Sequence, residues 1–373
     1  MAAIRPRDLL RDDLLDRLGH AGGLAADLAT LAEAGYLNVA LPPELGGLGC
    51  TLRQAACGQR RLARCAPGTA LAVSAHLYWT GAAADACRAG DDSMRWILLE
   101  AARGALFAGG HGEAGADLRF ADPRSQCEPE GENGYRFRDP GVLSTMTPAW
   151  DWLAVHAVHA AARPQSVIAF AGRGARYTPP FRVARVSPAG TPEDVFTTSA
   201  LTWGHSILAS VQYSEARRAL NDAITCYAET VTPADFLAPG GPGPATGSAG
   251  DAPPAAPEGH PDGDKPGRWP VADAGVLLDA MKAKIAEITH PWRLVQEPAP
   301  DLGGQHLIGL YAMRHEVAAG AAQVHSLIAQ ITGYINSWNA NPRPFTWIAT
   351  ADEILAKVKV VAANVRKLVD NNA

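Results

Sequence analysis

No lysine occurs before Lys265, so all the fixed basic charge of that long stretch is arginine. The six cysteines (Cys50, Cys57, Cys65, Cys87, Cys127, Cys226) include no CxxC pair, and no His/Cys ligand spacing accompanies them. That excludes a structural zinc module and fits reduced thiols in a cytoplasmic protein. No apolar run reaches the ~18 residues that cross a bilayer, so no membrane partner is expected. The opening MAAIRPRDLLRDDLLDRLGH lacks the uninterrupted apolar core of a signal peptide. Its leucines fall at amphipathic-helix spacing instead. Positive charge is not in excess either: a net charge of −5 argues against a general nucleic-acid binder, which needs clustered Lys and Arg. What is present is a chain of 373 residues, 47% apolar and 19% charged, long enough for two or three domains around sizeable cores.

Periodicity divides the chain. Residues 1–105 read as a helical domain. LAADLATLAEAG carries helical spacing up to Ala34, with Gly35 as its C-cap. LRQAACGQRRLARC and DSMRWILLEAARGAL are further helices, the latter capped by Ser93 and ended by Gly104. Between 106 and 200 the pattern becomes short and β-leaning: YRFRDPGVLSTM, WLAVHAVHAA, SVIAFAG, FRVARVS and DVFTTSAL. Helices return over 201–237 and 271–325. Of the 33 residues between 238 and 270, 17 are Pro or Gly, a composition that predicts a disordered insert. The expected class is α+β: helical domain, small β domain, helical domain.

Two stretches make that order specific. LPPELGGLG (41–49) resembles the turn that closes the first helices of acyl-CoA dehydrogenases, a flavoprotein family. FAGGHGEAGAD (107–117) resembles that family's first flavin loop, and YRFRDPGVLSTMTPAWDW (135–152) its second flavin segment, 18 residues further on. The glycines of 109–115 alone would equally suit an ordinary loop; the second segment at the right distance decides. A flat apolar flavin ring wants a dry β-lined slot and close backbone approach, which glycine permits. The resemblance implies FAD, with FMN possible, held by Phe107, Gly109, Gly110, Gly115, Ala116, Leu143, Ser144 and Thr145. Thr145 matches the threonine that bonds the flavin edge. It also implies the family's C-terminal helical bundle, incomplete here, an acyl-CoA or related thioester as substrate, and homo-oligomeric assembly.

Several departures point to impaired dehydrogenation. In the family a Glu abstracts a proton α to the thioester carbonyl while hydride passes to the flavin. One of its two positions lies in a turn that has no match here, and the other falls on Gly204. No catalytic residue is therefore assigned. His205 is adjacent, but a lone His reads first as structural, and Glu215 and Glu316 read as solvated helix faces. Leu143 replaces the aromatic that would cover the flavin, Gly141 the usual Lys, and Ala116 a hydroxyl; Asp139 and Pro140 disturb the turn. A strand expected between IAFAGRGA and RVARVSPAG is missing. The 238–270 insert replaces the stretch that reaches a neighbouring subunit's FAD, which argues against the family's assembly. A flavin-dependent monooxygenase on the same fold, which needs no such Glu, is the alternative, and a non-enzymatic remnant a third. His156 and His159 are three apart on a strand and face opposite sides, so no metal site is expected.

The last residues differ from the rest. Lys357, Lys359 and Lys367 fall in the last 17 residues, and six of nine asparagines in the last 38. HSLIAQITGYINSWNANPRPFTWIATADEIL resembles the C-terminal end of DDE-type insertion-sequence transposases. Thr350 and Glu353 suit a capping box there. The resemblance implies a gene fusion at about residue 325, with 326–373 as a tail beyond the carboxylates that strand transfer needs. Five basic and three acidic side chains in 331–373 are too few for convincing phosphate binding.

Overall fold

The computed structural model describes residues 5–19, 22–109, 125–130, 134–138, 146, 149–173, 181–188, 194–230, 270–289 and 304–340. These form nine α-helices and six strands. The helices are α1 (Pro6–Leu9), α2 (Asp12–Leu15), α3 (Gly23–Glu33), α4 (Leu52–Cys65), α5 (Pro67–Arg88), α6 (Arg95–Ala102), α7 (Val195–Thr230), α8 (Pro270–Thr289) and α9 (Gly304–Ala340). The strands are β1 (Phe107–Gly109), β2 (Gln126–Glu130), β3 (Gly134–Arg138), β4 (Trp152–His159), β5 (Gln165–Gly172) and β6 (Phe181–Pro188). The expected helix–β–helix order is what the chain adopts. Residues 1–224 and 266–329 make one compact unit, which holds the sheet and every site discussed below. The second comprises 225–265 and 330–373; its described residues are the helical segments 225–230 and 330–340.

The central helix is α5. Residues 72–86 are buried without a break, because its run of Ala, Gly, Ser and Thr is apolar or small on every face. Gly81 shows what smallness is for. A Cβ there would lie 2.4 Å from the indole of Trp203 on α7, so only glycine lets the two helices close. Trp203 then donates its Nε1–H to Asp85 at 2.8 Å. Between α4 and α5 the fully buried Gln59 is satisfied: its amide donates to Ala70 O at 2.9 Å and Ser74 Oγ at 3.1 Å, and its carbonyl accepts from Tyr36. α4 itself starts at Thr51, whose hydroxyl accepts from Gln54 N–H while the Gln54 side chain accepts from Thr51 N–H, a capping box.

The turn 41–49 is built from its glycines and prolines. Pro43–Leu45 is one 3₁₀ turn, and a Cβ at Gly47 would collide with Leu41 O at 2.1 Å. Gly49 N–H closes the loop on Leu41 O at 2.7 Å. Gly35 and Gly104 each follow a helix in the left-handed conformation, at φ 72° and 95°. Ser93 does not cap α6, whose N-cap residue Met94 offers no side-chain cap; Asp91 instead caps the 3₁₀ turn Asp92–Met94 that leads into it, accepting Ser93 N–H at 3.0 Å. The carboxylate reaches back into the turn, and Ser93 Oγ accepts from Arg185 instead.

The sheet runs β3-β2-β4-β5-β6, with β1 also on β4. Pairs β2–β3, β4–β5 and β5–β6 are antiparallel; β1–β4 and β2–β4 are parallel. Ala154, Ile168 and Phe170 belong to the helical core. Ala157, Val167 and Cys127 form a small second core with Tyr135, Phe137 and Val183. The stretch DVFTTSAL, expected to be β, instead begins α7. Asp194 accepts Thr197 N–H at 3.0 Å and Thr197 Oγ1–H at 2.7 Å, so a cap overrides the β-branched residues. Phe196, Ala200 and Leu201 are then buried along the helix. β5 and β6 pair directly, and the chain that joins them (174–180) lies outside the described residues.

α9 is continuous through residue 325, where the sequence places the fusion; 341–373 and the 238–269 stretch lie outside the described residues. No described helix is long and apolar enough to cross a membrane.

Candidate functional site

β1 and β2 lie in line along one edge of β4. Gly109 pairs with Ala154, and Gln126 with Val158. Among the described residues, the pairing of β1 with β4 ends at Ala154 and that of β2 begins at Val158, with Val155, His156 and Ala157 between. The sheet itself fixes both ends of the candidate flavin loop.

Behind that edge stands an aromatic wall. Phe107 is fully buried and nearly parallel to Trp152, at 6.5 Å and 11°. Trp96 packs edge-on against Trp152 at 5.2 Å and Phe170 at 5.4 Å, and Trp79 joins Phe170 to Phe196. The Arg182 guanidinium covers Trp96 at 4.1 Å. Trp150 and Trp152 are only half-buried, so the wall keeps a partly open edge. Glycine at 172, across from Trp152, leaves the indole face uncrowded; its Cβ would stand 3.6 Å away.

His76 on α5 positions this edge. Phe107 N–H donates to its Nδ1 at 3.3 Å, and its Nε2 meets Leu37 O at 3.0 Å. An amide N–H can only donate and a carbonyl only accept, so the ring is neutral with its proton on Nε2. Burial agrees, pushing its pKa down to about 4. Sequence reasoning missed His76; the signal was a single His inside an otherwise small and apolar run. It also missed Met146, which is 3% exposed and left-handed at φ 57°. A buried non-glycine residue held there marks strain directly after Thr145.

Of the sequence-derived cofactor residues, Phe107 and Gly109 are described and lie on β1. Gly110, Gly115, Ala116, Leu143, Ser144 and Thr145 lie outside the described residues. Gly204 sits on α7 facing Tyr78, whose ring a Cβ would meet at 3.7 Å. His205 is 3% exposed, and no described group hydrogen-bonds either ring nitrogen. Burial first and Arg314 second hold its pKa at about 3. Glu215 is exposed, as is Glu316, whose carboxylate lies 3.9 Å from Lys284 Nζ. His156 bonds Ser166 Oγ at 2.5 Å, while His159 bonds Cys127 O at 3.4 Å; the two are engaged separately. Among the described residues no three His, Cys, Asp or Glu side chains are grouped for a metal. Cys50, Cys57, Cys65, Cys87 and Cys127 are unpaired thiols.

Residues 15–94 match the family acyl-CoA dehydrogenase, N-terminal domain. No curated protein sequence matches the chain. Among solved structures it is similar to KijD3 in complex with dTDP, at TM-score 0.57 and 16% identity over 89% of this chain and 85% of that one. A second KijD3 structure, in complex with FMN and dTDP-3-amino-2,3,6-trideoxy-4-keto-3-methyl-D-glucose, gives 0.54 and 18% over 87% and 82%. Nitrososynthase from Micromonospora carbonacea var. africana gives 0.55 and 18% over 89% and 85%. An FAD-dependent dehydrogenase gives 0.53 and 13% over 90% of each chain. The chain has an acyl-CoA dehydrogenase-like fold, and its residues 15–94 correspond to that family's N-terminal domain.

Proposed function

We propose that this chain is a flavin-dependent oxidoreductase, with FAD as the expected cofactor and FMN as the alternative. The observation that carries the reading is the interrupted edge of β4, where Gly109 ends β1 beside the half-buried Trp152. The described residues fit a flavin: a flat apolar wall and a glycine at the strand end for backbone approach, with the half-buried Asp151 carboxylate engaged by Leu106 N–H at 2.8 Å. Phe107 and Gly109 would hold it from β1, with Gly110, Gly115, Ala116, Leu143, Ser144 and Thr145 from the two segments that resemble flavin loops. A bound flavin supplies hydride acceptance or, once reduced, reaction with O₂. The chain's own residues do the rest. Buried Phe107, Phe170 and Trp79 exclude water from behind the edge, and His76 holds the Phe107 amide in place.

Within that class the chain reads as acyl-CoA dehydrogenase-like, acting on CH–CH groups of a thioester, with dehydrogenation impaired or absent. Gly204 offers no carboxylate where a base is expected, and a neutral His205 directed at α9 does not replace it. A monooxygenase on the same fold is the second reading, favoured by the same missing carboxylate. The similarity to a nitrososynthase and to KijD3 supports the fold on which such chemistry runs. We place the protein in the cytoplasm and read 326–373 as a transposase-derived tail without strand-transfer activity.

The purified full-length protein should be yellow or take up FAD or FMN. Anaerobic addition of a short-chain acyl-CoA should leave the flavin oxidised, and a flavin reductase should bleach it. Rapid bleaching by acyl-CoA, near ~10 per second, would restore ordinary dehydrogenation. A protein that binds neither flavin overturns the reading as a whole.

A further inference from the structure

The groups around His205 are not explained by the site at β4. On α7 the fully buried Thr202 donates its hydroxyl proton to Thr198 O at 2.8 Å. It must therefore accept from His306 on α9, whose Nε2 lies 3.0 Å away. Three residues further along α7, His205 packs edge-on against Tyr311 at 5.3 Å. Further along still, Arg314 donates to Gln212. The two helices are thus joined by a seam of polar side chains, buried at Thr202 and His205 and half-buried at Gln212 and on the α9 side.

His205 stands out within it. Burial this deep usually comes with a hydrogen bond, and an unmet buried polar atom costs ~1–3 kcal/mol. Thr202, His306 and Gln212 have their bonds, yet neither His205 nitrogen has one among the described residues. A neutral imidazole offers one donor and one acceptor. The charge that bears on it is positive, from Arg314. Burial holds His306 toward its neutral form as well, so the imidazole neighbour adds little charge. Tyr311 contributes a ring face.

We propose that the α7–α9 seam at His205 is a seat for a small carboxylate-bearing molecule, with the imidazole N–H and the Arg314 guanidinium as its donors. A cation would be repelled by Arg314, and a neutral amide would use the imidazole but not the charge. A carboxylate uses both and meets the ring of Tyr311 with its apolar tail. This seat does not depend on flavin binding.

The test uses full-length protein labelled with ¹⁵N in its histidines, with the His205 ring signals assigned from the His205→Gln variant. Butyrate is titrated, with butyramide as the uncharged probe. The expected result is a saturable shift of the His205 ring nitrogens with butyrate, at least ~10-fold weaker in Arg314→Gln, and a His205 pKa that rises with butyrate bound. Butyramide should act only at ~10-fold or higher concentration. Ring signals unmoved by butyrate mean that water alone serves the nitrogens, and the proposal falls. Equal responses to butyrate and butyramide, or an undiminished response in Arg314→Gln, also overturn it. Should His205→Gln fail to fold, His205 is assigned by elimination from single replacements of the other histidines.

Discussion

His76 makes two hydrogen bonds that only one protonation state allows, and this gives the protein a pH dependence of defined sign. Its folded pKa lies near 4, below the ordinary 6.5, because the ring is buried. The unfolded chain therefore binds more protons between those values, and stability rises with pH across that window. The contribution is complete above about pH 6.5 and is lost as pH falls toward 4. The size is about 3 kcal/mol from this one ring, at ~1.4 kcal/mol per unit. Urea unfolding at pH 7 and pH 5 should show a clear fall in midpoint; equal midpoints would refute the assigned tautomer. His76→Phe keeps the bulk but leaves Phe107 N–H and Leu37 O unpaired. We expect a loss of about 2–4 kcal/mol at pH 7 and a shallower pH slope. His205 acts in the same direction, with a folded pKa of about 3, so its removal should flatten what remains.

At the scale of elements, α7 is held by small features at its start and by one close approach in its middle. Asp194→Ala removes the acceptor of Thr197 N–H and should cost about 1 kcal/mol, read as a shift of the denaturation midpoint. Arg185 lies 2.6 Å from Asp91 and 3.3 Å from Asp194, so it ties β6 to the turn before α6 and to the start of α7. A double-mutant cycle on Arg185 and Asp194 should therefore show coupling. Gly81→Ala drives a methyl into Trp203 and should cost about 1–3 kcal/mol through overpacking. Pairing it with Trp203→Phe should recover part of the loss; no recovery would place the strain elsewhere. The helices were legible in the sequence because their apolar spacing and terminators are local, as Gly35 and Gly104 illustrate. The start of α7 was not, since Thr197 and Thr198 look like strand residues until Asp194 and the burial of Phe196 are known. Of the candidate cofactor residues, Phe107 and Gly109 lie on a described strand. Glycines and their distance to the second segment pointed to Phe107 and Gly109. His76 lies 31 residues from the amide it holds, and no spacing rule reports such a contact.

For the whole molecule, anything that binds only the folded chain raises its stability by mass action. With FAD or FMN at ~100 times its dissociation constant, the gain is ~2.7 kcal/mol. Thermal scans with each flavin should thus separate the two cofactors by the size of the rise in Tm. Scans unchanged by either would remove the flavin from the account. Gly115→Val should abolish the rise if that segment approaches the ring through its backbone. A Gly115→Val variant that still responds would move the cofactor to another surface.

The interrupted edge of β4 has a bearing on how such a chain can change over generations. Residues 110–124 are inserted between two strands that are pinned to the same partner. From Ala154 to Val158 is four residues, or about 13 Å at ~3.3 Å per residue. Insertions and deletions between those pins alter reach and chemistry without shifting the register of the sheet. The frame can stay constant while the loop is rewritten, and relatives with little sequence in common can keep one architecture around different substrates.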